Sequence, residues 1–384
     1  MRFAARYLSY AEQLLKDYDP SQPFSAYLKQ YFANNKKFGS RDRKSISHAC
    51  YCYWRLGKAL LHLDTNERIA TGIYLCTDHL SPWEEIIPSN LPLTASSLQE
   101  KLAHVQGFDE ANVFPLFHHC DAVDASFILS HLTQPDLFMR LRPGKEKEAT
   151  RLLDAEGISY TRDEYPNCVR LPNATSLPPT LQLNKTAVVQ DLSSQRVGEL
   201  LQPLKRKVKT TWDCCAASGG KTILAKDILG EDVSVFATDI RPSIISNLHK
   251  RMKQAGISNY NATVADLSSN NPLSFGKRRF DLIICDVPCS GSGTWGRTPE
   301  QLSHFEEEKI EHYASLQKNI VQNAAPYLKP GGHLLYVTCS VFKEENQENI
   351  AFISRQLNLK LTTMQYMEGH AQKADTLFAA LFIA

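Results

Sequence analysis

The chain has 384 residues and a formal net charge of +2, with 43% hydrophobic and 22% charged residues. The chain is longer than an average single domain, so we expect a globular protein of two or three domains. The net charge is too small for a nucleic-acid partner to be inferred from composition alone. The first residues lack the apolar block of a secretory signal, and no stretch is apolar for long enough to cross a bilayer, so we expect a cytoplasmic protein without a membrane partner.

The first part of the chain has the pattern of a helical domain. Apolar residues recur at three- and four-residue spacing over 24–32 and again over 46–61. We therefore predict an all-helical domain over residues 1–130. Its first fifty residues carry nine Lys and Arg against four Asp and Glu. Such a distribution permits contacts with phosphates, but it is also typical of an ordinary solvated surface.

The sequence pattern then changes to one of short strands and a helix. Residues 137–142 predict a strand and 146–156 a helix, and two further strands are predicted at 159–161 and 168–171. We assign this small α+β module to residues 131–187.

From about residue 207 strands and helices alternate, which predicts a parallel sheet with crossover helices. Residues 280–285 are almost wholly apolar, as expected of a parallel strand that is buried on both faces. We therefore predict a doubly wound, Rossmann-like α/β domain over residues 188–384. Its strands are predicted at 208–214, 233–239, 262–265, 280–286, 333–338 and 377–383.

The segment DCCAASGGKT, residues 213–222, places a tight glycine turn between a strand and a helix. Glycines let the backbone approach a ligand, and a helix N-terminus offers free amides to a carboxylate. A Walker loop would need a glycine at Cys215 and a dinucleotide fingerprint would need one at Ile223, which disfavours ATP and NAD. The residues of the turn that we expect to bind the cofactor are Cys215, Ala216, Ser218, Gly219, Gly220 and Lys221.

Two carboxylates follow the next two predicted strands. Asp239 is suited to the hydroxyls of a ribose and Asp266 to the edge of an adenine, at the sheet edge where doubly wound folds bind ligands. Either acid alone could equally cap the helix that follows it. Together with the glycine turn they predict a site for S-adenosylmethionine, to which Asp286, the acid after a later strand, also contributes.

Two of the ten cysteines stand apart by their positions. The cysteines lack CxxC spacing, so no metal site is predicted, and most are expected to be small buried hydrophobic residues. Cys289 lies in the glycine-rich loop DVPCSGSGTWGR (286–297) after one strand, and Cys339 directly follows another. If the two strands are neighbours, both thiols converge on one edge of the cofactor pocket.

These three segments, with VQDLSSQ at 189–195, resemble the bacterial Sun/Fmu-type RNA cytosine-5 methyltransferases over about residues 185–384. Upstream, FGSRDRK at 38–44 resembles the start of the NusB-like RNA-binding domain of some members, with Arg41 and Arg43 as candidate RNA contacts. A generic helical bundle remains the alternative there. The middle module resembles the family's ferredoxin-like subdomain in the order of its strands and helix.

The resemblance also implies roles for individual residues. In that family the nucleophile falls on Cys339, the cysteine that helps release the product on Cys289, and the acid on Asp286. The lysine of the glycine turn falls on Lys221, and Arg297 matches an arginine near the RNA. Ser218 departs from the family pattern because it replaces a proline, and the loop around Arg297 has fewer basic residues.

The implied activity is methylation of carbon 5 of cytosine in RNA, with small-subunit (16S) ribosomal RNA expected as the substrate of a monomeric enzyme. A transfer RNA methyltransferase and a catalytically silent RNA-binding protein on the same fold remain alternatives. A DNA cytosine-5 methyltransferase is disfavoured, because the sequence has no Glu-Asn-Val motif and the segment 338–340 would then be unexplained.

Overall fold

The computed structural model describes residues 3–95, 97–269 and 275–384. The chain divides into two compact units, one of Met1–Gln134 with Trp295–Glu307 and one of Pro135–Thr294 with Glu308–Ala384. Among the described residues, no helix combines the length and the apolar character needed to cross a membrane.

Thirteen α-helices and eleven strands are found in the described ranges. In chain order, helices α1 to α13 span Phe3–Asp17, Phe24–Asn34, Ser40–Arg55, Thr65–Cys76, Leu98–His104, Ala125–Ser130, Glu146–Ala155, Leu192–Arg196, Gly220–Leu229, Pro242–Gln254, Gln301–His304, Glu308–Ala324 and Gln347–Gln356. Strands β1 to β11 span Leu137–Leu141, Thr161–Arg162, Cys168–Leu171, Ala187–Val189, Thr210–Asp213, Ser234–Asp239, Tyr260–Val264, Phe280–Asp286, Leu328–Thr338, Lys360–Glu368 and Thr376–Ile383.

Among its described residues the first unit contains helices, joined by turns and irregular segments, and no strand. An aromatic cluster in its core includes the edge-to-face pair of Phe24 and Trp54, with ring centroids 5.9 Å apart. The segment Trp295–Glu307 belongs to this unit: Trp295 packs on Phe114, and Glu300 accepts a hydrogen bond from the backbone of Phe24. We had predicted this segment to lie in the domain of residues 188–384, because the sequence pattern does not show that it packs with the first unit.

A four-stranded antiparallel sheet in the order β2-β3-β1-β4 opens the second unit. Its core packs α7 against the sheet through residues such as Leu153 and Val169. Strand β4 pairs with β1 and crosses the limit that the sequence placed after residue 187. Three residues are too few for an alternating pattern, so this strand was not predicted. The likeness to NusB and ferredoxin-like modules, and the three-domain division, stay predictions.

A buried cluster of charges joins this small sheet to α9. Arg140 and Arg142 of the β1 region each donate to the carboxylate of Asp227, at 2.5 and 2.6 Å. The side chain of Asp227 is only 5% exposed. Because two cations share one buried anion, the small sheet is anchored to the larger domain by a contact whose loss would leave charge unpaired.

The larger sheet of the second unit has seven strands in the order β10-β11-β9-β8-β5-β6-β7. Strands β9, β8, β5, β6 and β7 run parallel to one another, whereas β11 is antiparallel to both β9 and β10. Buried residues of α12 and α13 pack on one face, and those of α9 pack on the other. The prediction of a Rossmann-like α/β domain is therefore confirmed. Strand β10 was not predicted, because most of its side chains are at least partly exposed.

Candidate active site

A cavity of about 430 Å³ opens at the carboxyl ends of the central parallel strands. Its wall brings together the carboxylates Asp239, Asp266 and Asp286 with the thiols of Cys289 and Cys339. Pockets for small molecules and cofactors typically have volumes of roughly 300 to 1,000 Å³. The volume of this cavity falls within that range. All its lining residues lie in the second unit.

The glycine turn is held in place by the strand ends around it. Gly219 adopts a φ of +89°, which only glycine adopts freely, and it precedes α9 directly. A Cβ at Gly220 would meet no atom within 4 Å, so the space beside it is open. Cys215 lines the cavity and Ala216 is buried. The other predicted cofactor residues of the turn, which do not line the cavity, are Ser218, Gly219, Gly220 and Lys221.

Ser218, which stands where the related family has proline, is fixed by a neighbour that the sequence did not single out. Arg251 of α10 donates to the Ser218 hydroxyl at 2.8 Å and to its carbonyl oxygen at 3.2 Å. The same guanidinium donates to Asn184, and burial lowers the pKa of Arg251. A side chain from the last turn of α10 therefore holds this turn at the position where a proline ring would stiffen it.

Asp239 is placed for a ligand but already accepts hydrogen bonds. Its carboxylate is 6% exposed and accepts from the backbone of Ala217 at 3.1 Å and from that of Arg241 at 3.0 Å. The exposed guanidinium of Arg241 adds an ion pair at 2.9 Å. Burial acts to raise the pKa of Asp239, but these hydrogen bonds outweigh it and hold the pKa below its ordinary value. The carboxylate is thus ionised and can accept from a ribose hydroxyl if Arg241 turns outward.

Asp266 is exposed at the cavity rim and caps the turn that follows it. It accepts from the Ser268 hydroxyl at 2.6 Å and from the Ser268 backbone at 2.9 Å. These hydrogen bonds lower the pKa of Asp266. Asp266 thus caps a turn and also lines the cavity, and its contact with an adenine stays a prediction.

Asp286 and Lys221 form an ion pair beside the cysteines, with 2.9 Å between Nζ and Oδ2. Burial acts to lower the pKa of Lys221, but the negative charge of Asp286, with Cys339 close by, outweighs it and raises the pKa above its ordinary value. Lys221 is therefore an ammonium ion paired with the carboxylate of Asp286.

A further carboxyl lies beneath the turn. Asp213 is fully buried and accepts a hydrogen bond from Thr222 at 2.5 Å. Burial raises the pKa of Asp213 to about 7, although the hydrogen bond from Thr222 acts in the opposite direction. No role was predicted for this acid, because an acid that ends a buried strand has the same sequence pattern whether it faces a cavity or lies beneath one.

Cys289 and Cys339 are brought together, as the sequence predicted for neighbouring strands. Strands β8 and β9 are parallel partners, with Asp286 opposite Val337. The backbone N–H of Cys339 donates to the Cys289 sulfur at 3.3 Å, and the N–H of Gly293 donates to the Cys339 carbonyl oxygen at 2.8 Å. A hydrogen bond with Cys339 and burial raise the pKa of the Cys289 thiol.

The three arginines expected at RNA lie in the first unit. Arg41 is exposed, and Arg297 is partly exposed within Trp295–Glu307. Arg43 is exposed, but its Nε donates to the Phe38 carbonyl oxygen at 2.9 Å, so part of this side chain supports the local fold. Their contacts with RNA stay predictions.

The fold and the site together define a methyltransferase of the Rossmann-like class. Residues 199–381 match the family model for 16S rRNA methyltransferase RsmB/F. The part of the chain over residues 199–381 therefore belongs to the RsmB/F family, which confirms the resemblance to Sun/Fmu-type enzymes. S-adenosylmethionine is the cofactor of the family, so the predicted cofactor is confirmed at that level.

Two relatives are named ribosomal RNA small subunit methyltransferase B. That of Proteus mirabilis is 31% identical over 262 residues, covering 67% of this chain and 61% of the relative. That of Cronobacter sakazakii is 35% identical over 229 residues, covering 58% of this chain and 52% of the relative. The chain therefore spans between half and two thirds of the length of these two relatives.

Two solved structures share the fold. The crystal structure of PH0851 has a TM-score of 0.69 at 21% identity and covers 100% of this chain and 98% of its own. The structure of NSun6 from Pyrococcus horikoshii with SFG has a TM-score of 0.59 at 18% identity, covering 67% of this chain and 94% of its own.

Proposed function

We propose that this protein uses S-adenosylmethionine to form 5-methylcytosine in RNA through a covalent cysteine–cytosine adduct. The observation that carries the proposal is the convergence of Cys289 and Cys339 on the wall of a cavity at the carboxyl ends of the parallel strands. Small-subunit ribosomal RNA is the proposed substrate, in keeping with the family model and the names of the relatives.

The residues of the cavity fit the cofactor. Ionised Asp239 and Asp266 offer acceptors for hydroxyl and amino groups, while Leu267, Leu316 and Ile320 supply an apolar wall for a flat ring. The N-terminus of α9, opened by Gly220, is suited to a carboxylate. When bound, S-adenosylmethionine supplies an electrophilic methyl group.

The chemistry of cytosine explains why a cysteine is needed. Carbon 5 is too weak a nucleophile to take a methyl group directly, so a thiolate must first add to carbon 6 and push electrons toward carbon 5. We assign this addition to Cys339, beside which Lys221 places a positive charge. Asp286, hydrogen-bonded to Lys221, is assigned to ring nitrogen 3 of the base, to which its carboxyl donates a hydrogen bond or a proton when it has itself taken up a proton, and this eases the addition.

The adduct must then be resolved. A base removes the proton from carbon 5, the carbon 5–carbon 6 double bond re-forms, and the sulfur of Cys339 leaves carbon 6 with its electron pair. We assign Cys289 to assist this release, because its sulfur lies against the backbone of Cys339. The target base has to leave any stack to reach both thiols, which favours loops and single strands as substrates.

Bisulfite sequencing of total RNA from cells with and without the gene tests this function. We expect at least one protected cytosine of small-subunit ribosomal RNA to become convertible on deletion, and to be protected again by the intact gene but not by a Cys339→Ala gene. Loss of protection in transfer RNA instead would favour the transfer RNA alternative. An unchanged pattern in all RNA would contradict the proposal and favour the silent RNA-binding alternative.

A further inference from the structure

We propose that Glu345 is a positioning residue that holds two loops at a fixed separation. These are the Cys289 loop, residues 287–294, and the Cys339 loop, residues 339–346, of which Glu345 is itself a part. Its side chain is fully buried and ties both loops to one carboxylate. The expected effect on catalysis rests on the proposed function, whereas the hydrogen bonds of Glu345 do not depend on it.

One carboxylate oxygen of Glu345 serves the Cys289 loop. Oε2 accepts a hydrogen bond from the backbone N–H of Ser290, the residue after Cys289, at 3.0 Å. A backbone donor cannot turn away as a hydroxyl can, so this bond fixes the path of the chain next to the thiol.

The other oxygen serves the Cys339 loop. Oε1 accepts from the hydroxyl of Ser340, the residue after Cys339, at 2.6 Å. The Ser340 hydroxyl also lies 3.1 Å from the hydroxyls of Ser290 and Ser292. The two loops are therefore joined by a small network of hydroxyl groups whose one acidic member is Glu345.

A third contact anchors the carboxylate to α12. Gln317 donates from Nε2 to Glu345 Oε2 at 2.7 Å and to the Pro288 carbonyl oxygen at 2.9 Å. The amide oxygen of Gln317 accepts in turn from Tyr336 and Asn349. Because each donor around Glu345 is itself held by a second partner, the carboxylate has little freedom to shift.

Glu345 does not line the cavity, so it is not itself expected to touch a substrate. Its effect would pass through the two cysteines, whose sulfurs must reach one face of one base. Burial raises the pKa of Glu345, while its hydrogen bonds with Ser290 and Ser340 act to lower it. A shift of about 1 Å in a reacting group is enough to cost on the order of 100-fold in rate.

The test compares Glu345→Ala and Glu345→Gln with Glu348→Ala, an exposed acid of α13 that serves as the control. Alanine removes all three contacts. Glutamine keeps an oxygen toward Ser290 and Gln317, and it requires the Ser340 hydroxyl to turn from donor to acceptor and to release one of the hydrogen bonds that it accepts from Ser290 and Phe342. Two readouts are taken on the full chain: the yield of the Cys289–Cys339 cross-link with dibromobimane, mapped by peptide mass, and the kcat and KM for S-adenosylmethionine.

We expect Glu345→Ala to lower the cross-link yield about tenfold and kcat about 10- to 100-fold with little change in KM, and Glu345→Gln to recover much of both. The control should match the parent protein. Cross-linking and kcat within about twofold of the parent in Glu345→Ala would overturn the inference. If Glu345→Ala does not fold, as judged by circular dichroism, the same comparison is made on Ser340→Ala, which removes the hydroxyl bound to Glu345 Oε1, and unchanged cross-linking there is the contradicting result.

The two readouts separate the two claims. If the parent protein methylates no RNA but Glu345→Ala loses the cross-link, the proposed function fails and the positioning role stands. If the parent methylates RNA and Glu345→Ala keeps the cross-link and the kcat, the positioning role fails alone.

Discussion

The backbone N–H of Cys339 donates a hydrogen bond to the sulfur of Cys289 at 3.3 Å. The two cysteines therefore share one environment at the ends of β8 and β9, where a hydrogen bond with Cys339 raises the pKa of Cys289.

A first prediction concerns the reactivity of Cys289. Its pKa is raised by its side-chain hydrogen bond with Cys339, by burial and by the charge of Glu345. Replacing Cys339 with alanine removes the first of these causes, so the pKa of Cys289 should fall and its thiolate fraction at pH 8 should rise. The measurement is the rate of iodoacetamide modification of Cys289, followed by peptide mass against pH. A midpoint that stays in place or moves to higher pH would contradict the coupling.

Gly293 should tolerate no side chain. A Cβ there would lie 1.9 Å from the Thr376 carbonyl oxygen and 3.1 Å from that of Cys339, and both are backbone atoms. We expect Gly293→Ala to cost about 1–3 kcal/mol or more and to abolish the Cys289–Cys339 cross-link. The control is Gly39→Ala, whose Cβ would make an ordinary contact at 3.7 Å. Equal melting temperatures for the two variants would show that the Cys289 loop is not closely packed.

Asp213 predicts a pH dependence of stability. Burial raises its pKa to about 7 in the folded chain, whereas an unfolded aspartate titrates near about 3.9. Between these values the folded chain keeps a proton that the unfolded chain has lost. The free energy of unfolding therefore falls as pH rises through this window, by up to about 1.4 kcal/mol per pH unit.

Asp213→Asn should abolish this pH dependence of the free energy of unfolding, because an amide does not ionise. Relative to the parent protein, the variant is expected to gain stability between pH 5 and pH 8, as measured by urea unfolding at each pH. A difference between the two proteins that is the same at both pH values would contradict the raised pKa.

The charge cluster at Asp227 predicts a large loss of stability. Asp227→Ala would leave Arg140 and Arg142 buried without their anion, a change that typically costs about 3–5 kcal/mol. Replacement of exposed Glu231 in the same region by alanine is the control. Thermal unfolding of both variants measures the effect. A melting temperature for Asp227→Ala that equals that of the control would show that the small sheet is not anchored through these charges.

The central sheet was predictable from the sequence because its parallel strands are buried on both faces. The strand over Phe280–Asp286 was placed without error, and Cys289 and Cys339 were singled out because each follows such a strand. Strand β10 escaped prediction because it is an edge strand with mostly exposed side chains. The pattern of apolar residues reports burial, so elements that are little buried leave little trace in it.

The supporting contacts of the site could not be read from the chain. Arg251 reaches Ser218 from 33 positions away, and Glu345 joins two loops whose serines are 50 positions apart. Such contacts depend on how helices and strands pack, which local sequence does not encode. The resemblance to a family supplied roles for the residues of its motifs, and it supplied none for Arg251, whose partner Ser218 departs from the motif.

The account depends most on which cysteine attacks, and a trapping experiment tests this directly. Purified Cys289→Ala and Cys339→Ala proteins are incubated with S-adenosylmethionine and substrate RNA, then separated on a denaturing gel. We predict a slowly migrating protein–RNA band for Cys289→Ala, because the adduct forms but is not released, and none for Cys339→Ala, which also should not methylate. A band for Cys339→Ala without one for Cys289→Ala, or methylation by Cys339→Ala, would contradict the assignment.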